Sequence, residues 1–246
     1  MTQPSKLASA KAKARSPRQV LTRSGLFRFS VARFLIALVL LFVSAPVLEH
    51  FQNGDVVETA LATLVMCMGV LAVGARHRTL VVAIILVSPA VAVNWLHHLW
   101  PVHNLQQAAI AARLVFLAFV VVRLLVFILR APKVDSEVLC AGISVYLLIG
   151  LVWSLAYRLV AEQDPKAFAF SAPQDSPLGM NRFNAFYYSF MTLTTVGYGD
   201  ITPVSKVARM LAVMEAMSGT LFLGVLIARL VSLYSTPSPA EAPKQG

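Results

Sequence analysis

The stretch of this chain equipped for chemistry is Thr194-Thr195-Val196-Gly197-Tyr198-Gly199-Asp200, and its backbone carries that chemistry. A cation stripped of water needs replacement oxygens at close range. Carbonyls on successive residues supply them when all point the same way. Ordinary L-residues avoid the backbone conformations this requires, whereas Gly197 and Gly199 accept positive φ without a Cβ penalty. Thr195, Val196, Gly197 and Tyr198 then offer carbonyls, and Thr195 adds a hydroxyl at the inner end. Asp200 sets a negative charge at the outer mouth, where it attracts cations. A Gly-rich turn after a helix is the plain alternative for a lone Gly-x-Gly.

The elements that must hold such a loop are apolar. Of 246 residues, 58% are hydrophobic and 13% charged, against about 25% charged in soluble domains. Six apolar stretches, at 31–48, 57–74, 79–99, 105–129, 137–160 and 207–233, approach the ~20 residues a helix needs to cross a bilayer. The fold class expected is an all-α membrane protein with six transmembrane helices. Residues 161–181 read as a polar outer loop with Pro165, Pro173 and Pro177. Asn181 then suits the N-cap of a helix near 182–194, too short to span and therefore re-entrant.

The net charge of +10 is concentrated at the start, where residues 1–33 carry Lys6, Lys11, Lys13, Arg15, Arg18, Arg23, Arg28 and Arg33 and no acid. Ahead of apolar spans, this reads as a cytoplasmic tail facing anionic lipid headgroups rather than a nucleic-acid arm or a removable signal peptide. Arg76 and Arg78 in the second connection and Arg130 and Lys133 in the fourth alternate with connections free of Lys and Arg. The positive-inside rule places both termini in the cytoplasm and the 161–206 connection outside. The expected location is a multi-pass cell membrane protein of the bacterial inner-membrane type.

The seven residues from Thr194 to Asp200 match, without a gap, the selectivity filter of the potassium channel family, which the chain resembles from residue 137 to 235. The resemblance implies a potassium-selective channel that conducts K+ passively, with K+ held at Thr195, Val196, Gly197 and Tyr198 and no cofactor beyond the permeant ion. One chain has one pore loop, so a ring of carbonyls requires a homotetramer. The division expected is a basic tail at 1–30, a four-span voltage-sensor-like domain at 31–130, a pore domain at 131–235 and a short tail at 236–246. With so short a tail, no nucleotide- or calcium-binding gating domain is expected there.

Within the pore domain, Thr194, Asp200, Tyr187 and Tyr188 are expected to support the filter, the two aromatics by bracing Tyr198. Met191 stands where some relatives carry a carboxylate that pairs with the filter aspartate, so that pair is absent. Gly219 occupies the family's hinge position, where bending and close packing explain it equally well. Thr220, Leu223 and Ile227 follow at helical spacing as pore-lining and gate candidates. Glu215 joins them as an ionisable group at an expensive depth, expected to hydrogen-bond the pore helix in a structural or a pore-modulating role.

Four spans before a pore resemble voltage-gated channels, but a sensor needs arginines at every third position. Here Arg113, Arg123 and Arg130 are ten and seven residues apart. Arg113 and Arg123 remain the candidate voltage-sensing residues, and weak or absent voltage dependence is expected. The alternatives are a truly voltage-gated potassium channel, a nonselective cation channel or a potassium transporter subunit. Transporters of that kind carry four degenerate loops, and this chain has one intact. The chain has no Walker loop, nucleophile elbow or HExxH motif, so no enzyme is expected. Ser88-Pro89 is expected to break and kink the third span. Cys67 and Cys140 read as buried thiols without a disulfide. His97, His98 and His103, beside Trp95 and Trp100, read as an interface belt rather than a metal site.

Overall fold

A computed structural model describes residues 31–44, 46, 54–73, 77–99, 103–132, 135–171 and 179–234. The basic N-terminal tail, the last dozen residues, Glu49, Lys133, Trp100 and the side chains of Asp55, Glu58, His97, His98 and His103 lie outside the described residues.

The chain is helical: α1 (Val31–Ser44), α2 (Gly54–Val73), α3 (His77–Leu99), α4 (His103–Arg130), α5 (Ser136–Gln163), α6 (Arg182–Leu193) and α7 (Lys206–Tyr234). α4, α5 and α7 are long and apolar enough to cross a membrane, while α1, α2 and α3 contribute shorter apolar helices. α3 runs unbroken through Pro89, contrary to the expected break. Proline at 89 leaves the Ile85 carbonyl without its amide partner, and the Ser88 hydroxyl donates to that carbonyl at 3.4 Å instead.

α1 to α5 share one apolar core, in which Phe34, Leu38, Phe116, Val120 and Leu148 are fully buried. α5 begins at an Asp135 cap whose side chain accepts from the Val138 amide. It carries Glu137 in its first turn, where the helix dipole favours an acid. The two ends of α4 fix its alignment against its neighbours. Near its start, the Gln106 amide donates to Glu162 at the end of α5. At its other end, Arg229 of α7 donates to the carbonyls of Leu129 (3.3 Å) and Ala131 (2.8 Å).

The expected polar outer loop holds a strand that the sequence reading missed. Phe168–Phe170 (β1) pairs antiparallel with Ile201–Pro203 (β2), in the register Phe168↔Pro203, Ala169↔Thr202, Phe170↔Ile201. Among the described residues the fold is therefore all-α apart from one two-stranded ribbon. Phe168 and Ile201 bury their side chains with Tyr157, Ala167, Tyr188 and Ala208 in a second apolar cluster.

α7 differs from the other long helices in burying little. Its most apolar window is 11% buried, against 50% for α5. The buried positions Ala208, Glu215, Gly219 and Phe222 form one narrow stripe at helical spacing. Met210, Val213, Met217, Leu221 and Val225 are exposed around the rest of the helix. Cys67 is exposed and Cys140 half-buried, both as free thiols, which corrects the expectation of buried thiols.

Candidate functional site

The loop after α6 is built on the C-terminal end of that helix. Asn181 caps the other end, accepting from the Asn184 amide at 2.7 Å. At the C-terminal end the last carbonyls have no partner within the helix. The loop's own amides take them. Thr194 N donates to Phe190 O, Thr195 N to Thr192 O, and Val196 N and Gly197 N both to Met191 O at 3.0 and 3.1 Å. The Thr194 hydroxyl adds a 2.6 Å bond to Phe190 O. The loop is thus suspended by its N–H groups from the short helix.

The backbone torsions alternate. Thr195, Gly197 and Gly199 have φ of 59°, 54° and 81°, and the intervening Val196 and Tyr198 have none of this left-handed character. Alternation of this kind turns successive peptide planes so that carbonyls fall on one side of the ribbon. Glycine adopts it freely at 197 and 199. At Thr195 a side chain is held in a conformation that costs about 1–3 kcal/mol, a torsion the sequence reading expected only at the two glycines. Val196 (52%) and Tyr198 (71%) are exposed, so within one chain this face of the loop is uncovered.

The C-terminal end of the loop is tied down beside the β1–β2 ribbon. Ser171 N donates to Asp200 O, and Val204 N and Ser205 N both donate to Ala167 O. Asp200 accepts from Ile201 N at 3.1 Å, and its carboxylate faces the Tyr187 hydroxyl. Tyr188 has a different environment from the one expected. It is 6% exposed and packs edge-on against Tyr157 (4.8 Å) and Phe168 (5.5 Å). Within the chain it therefore braces the wall behind the loop rather than Tyr198.

Two glycines set the close approaches behind the loop. A Cβ at Gly219 would lie 2.7 Å from Leu193 O and Leu193 Cδ1, and one at Gly150 would lie 2.3 Å from Phe190 Cζ. Phe186 and Phe190 also meet Phe42 of α1 edge-on, at 4.8 and 5.0 Å, so the first helix supports the short one.

The structure separates the α7 candidates into two groups. Thr220, Leu223 and Ile227 are exposed, on the side turned away from the chain's own body. Glu215 and Gly219 are buried on the opposite stripe. Glu215 thus lies on a different face of α7 from Thr220, Leu223 and Ile227. Its side chain is enclosed between Tyr157 of α5 and Ser189 of α6. In α4, Arg123 Nη2 donates to Thr79 Oγ1 at 3.3 Å, and Arg113 Nε to Ala109 O of its own helix at 3.3 Å. No cluster of metal-ligating side chains occurs among the described residues.

Residues 138–236 match the family model described as ion channel. Over 66 residues the chain is 39% identical to the two-pore potassium channel 4 of Arabidopsis thaliana, covering 26% of this chain and 23% of that one. It is 44% identical over 50 residues to the calcium-gated potassium channel TvoK of Thermoplasma volcanium, covering 20% of this chain and 14% of that one. It is 31% identical over 90 residues to the protein LctB of Bacillus caldotenax, covering 35% of this chain and 64% of that one. The chain thus spans less than two thirds of each of these relatives. No solved structure matches it. The chain thus has the apolar helices of an integral membrane protein, and its residues 138–236 are similar to the ion channel family and to segments of potassium channels rather than to an enzyme.

Proposed function

We propose that the chain is a potassium-selective channel subunit that conducts K+ passively. The observation that carries this reading is the alternating left-handed backbone at Thr195, Gly197 and Gly199, hung by its amides from Met191 O. That arrangement frees carbonyls of Thr195, Val196, Gly197 and Tyr198 to replace the water around a dehydrated ion. Thr194, Asp200, Tyr187 and Tyr188 support the loop.

A single ribbon surrounds no ion, and four copies close the ring as a homotetramer. The exposed loop face and the sparsely buried α7 support this, since partner chains account for both. In that assembly Thr220, Leu223 and Ile227 line the inner cavity, and the last two form the apolar constriction.

The membrane arrangement we propose has six spans, α1–α4 as the peripheral domain and residues 131–235 as the pore domain. Both termini are cytoplasmic in a bacterial inner membrane, and the basic tail lies against anionic lipid. Arg113 and Arg123 are too widely spaced for a stripe of sensing charges, so voltage dependence is weak. The test is a reversal potential in liposomes holding mixed K+ and Na+. A reversal near the K+ equilibrium potential is expected, and equal permeation of the two ions rejects the reading.

A further inference from the structure

Glu215 is the one fully buried acid among the described residues, 0% exposed in the middle of α7. Tyr157 Oη lies 2.5 Å from its Oε2, and Ser189 Oγ lies 2.5 Å from its Oε1. Ser189 Oγ is also 2.7 Å from the Gly150 carbonyl of α5. A hydroxyl has one proton to donate, and a carbonyl oxygen only accepts. Ser189 therefore donates to Gly150, and its contact with Glu215 needs a proton on Oε1. Counting protons settles the state. Three contacts require three donors, which are Tyr157, Ser189 and the carboxyl group itself. The ionised form has two donors for three contacts. It would also bury a charge, which is unfavourable at this depth. The titratable groups that face it are phenols: Tyr146 and Tyr157 from α5, and Tyr188 from α6.

The cluster joins three elements at one point. Ser189 belongs to the helix whose Met191 carbonyl, two residues on, holds the Val196 and Gly197 amides. Ser218, one turn below Glu215, accepts from Trp153 Nε1 of α5 at 3.1 Å and donates to Glu215 O. We propose that Glu215 is a protonated, neutral positioning residue for the filter, its carboxyl proton completing a Tyr157–Glu215–Ser189–Gly150 hydrogen-bond chain that locks α6 between α5 and α7. The structural part stands on the geometry alone, and the effect on selectivity rests on the reading of the loop as a filter.

The purified full chain in liposomes tests both parts. At neutral pH its infrared spectrum is expected to contain the carbonyl band of a protonated carboxylic acid. That band disappears in Glu215→Gln and shifts in Ser189→Ala, which removes the acceptor of the proton. A wild-type spectrum without the band overturns the proposal, whether or not current flows. A glutamine amide can donate to Ser189 and accept from Tyr157, so Glu215→Gln should assemble and keep K+ over Na+ preference within about twofold of wild type. Glu215→Leu should weaken that preference by about tenfold, on the scale of one lost buried hydrogen bond. A Gln variant that fails to assemble, or loses selectivity as Leu does, rejects positioning by a neutral acid. A wild type that shows the band yet conducts no K+ keeps the protonated clamp and rejects the filter reading instead.

Discussion

Leu193 O occupies the space that a side chain at Gly219 would need, 2.7 Å from the position of its Cβ. Leu193 is the last residue of α6, so α7 touches the short helix where the loop begins. Close packing is therefore reason enough for a glycine at 219. Gly219→Ala should destabilise the assembly by about 1–3 kcal/mol, the usual cost of overpacking. Thermal dissociation of the purified oligomer measures this, and a variant as stable as wild type would show that the two helices move apart at no cost.

Gly150 presents the same geometry against a softer neighbour. Its Cβ would enter the Phe190 ring at 2.3 Å, and its carbonyl receives the Ser189 hydroxyl. Gly150→Ala should cost about 1–3 kcal/mol. Trimming the ring in Gly150→Ala/Phe190→Leu should recover part of that loss, because the two positions are in contact. Strict additivity of the two substitutions in a denaturation series would contradict this.

Arg229 joins α7 to the end of α4. Its guanidinium serves the Leu129 and Ala131 carbonyls at the end of α4, where cations suit the helix dipole. Arg229→Leu leaves both carbonyls short of a donor and should lower stability by about 1–3 kcal/mol. Trypsin cleavage near Arg130 should also quicken as the junction loosens. Unchanged protease resistance would mean that apolar packing alone holds α7 to α4.

Arg123 bonds a neutral hydroxyl, that of Thr79. We expect a shallow conductance–voltage curve in planar bilayers, barely altered by Arg123→Gln. A full charge crossing the membrane contributes about 2.3 kcal/mol per 100 mV. A steep curve that flattens in the variant would assign sensing to α4 after all.

The Tyr187 hydroxyl of the short helix faces Asp200 at the C-terminal end of the loop. Tyr187→Phe removes that hydroxyl and leaves the ring. K+ currents through it should fall during sustained recording faster than in wild type, while the initial selectivity is retained. Currents as durable as those of the unaltered chain would leave the anchoring of that end to the β1–β2 ribbon.

Local chemistry made much of the architecture legible in the sequence. Long apolar runs predicted the helices, Asn181 predicted the start of α6, and the glycines at 197 and 199 predicted left-handed backbone. These features depend on neighbours in the chain, so composition and spacing reveal them. The left-handed torsion of Thr195 escaped because no residue type advertises a strained threonine; the Thr192 carbonyl and the flanking turn impose it. The β1–β2 pair escaped as well. Phe168 and Ile201 are far apart in sequence, and three-residue strands leave no periodicity to read.

By itself, then, the sequence determined that the chain is helical and membrane-embedded and that one loop has the composition of a cation filter. Only the tertiary structure decided which face of α7 each residue occupies. It turned Glu215 inward to Ser189 and left Leu223 and Ile227 uncovered. The physical reason is that α7 is apolar on every side, so its own pattern holds no preferred face. Its rotation was set by the small residues at 208 and 219 and by the hydroxyls awaiting a carboxyl between α5 and α6.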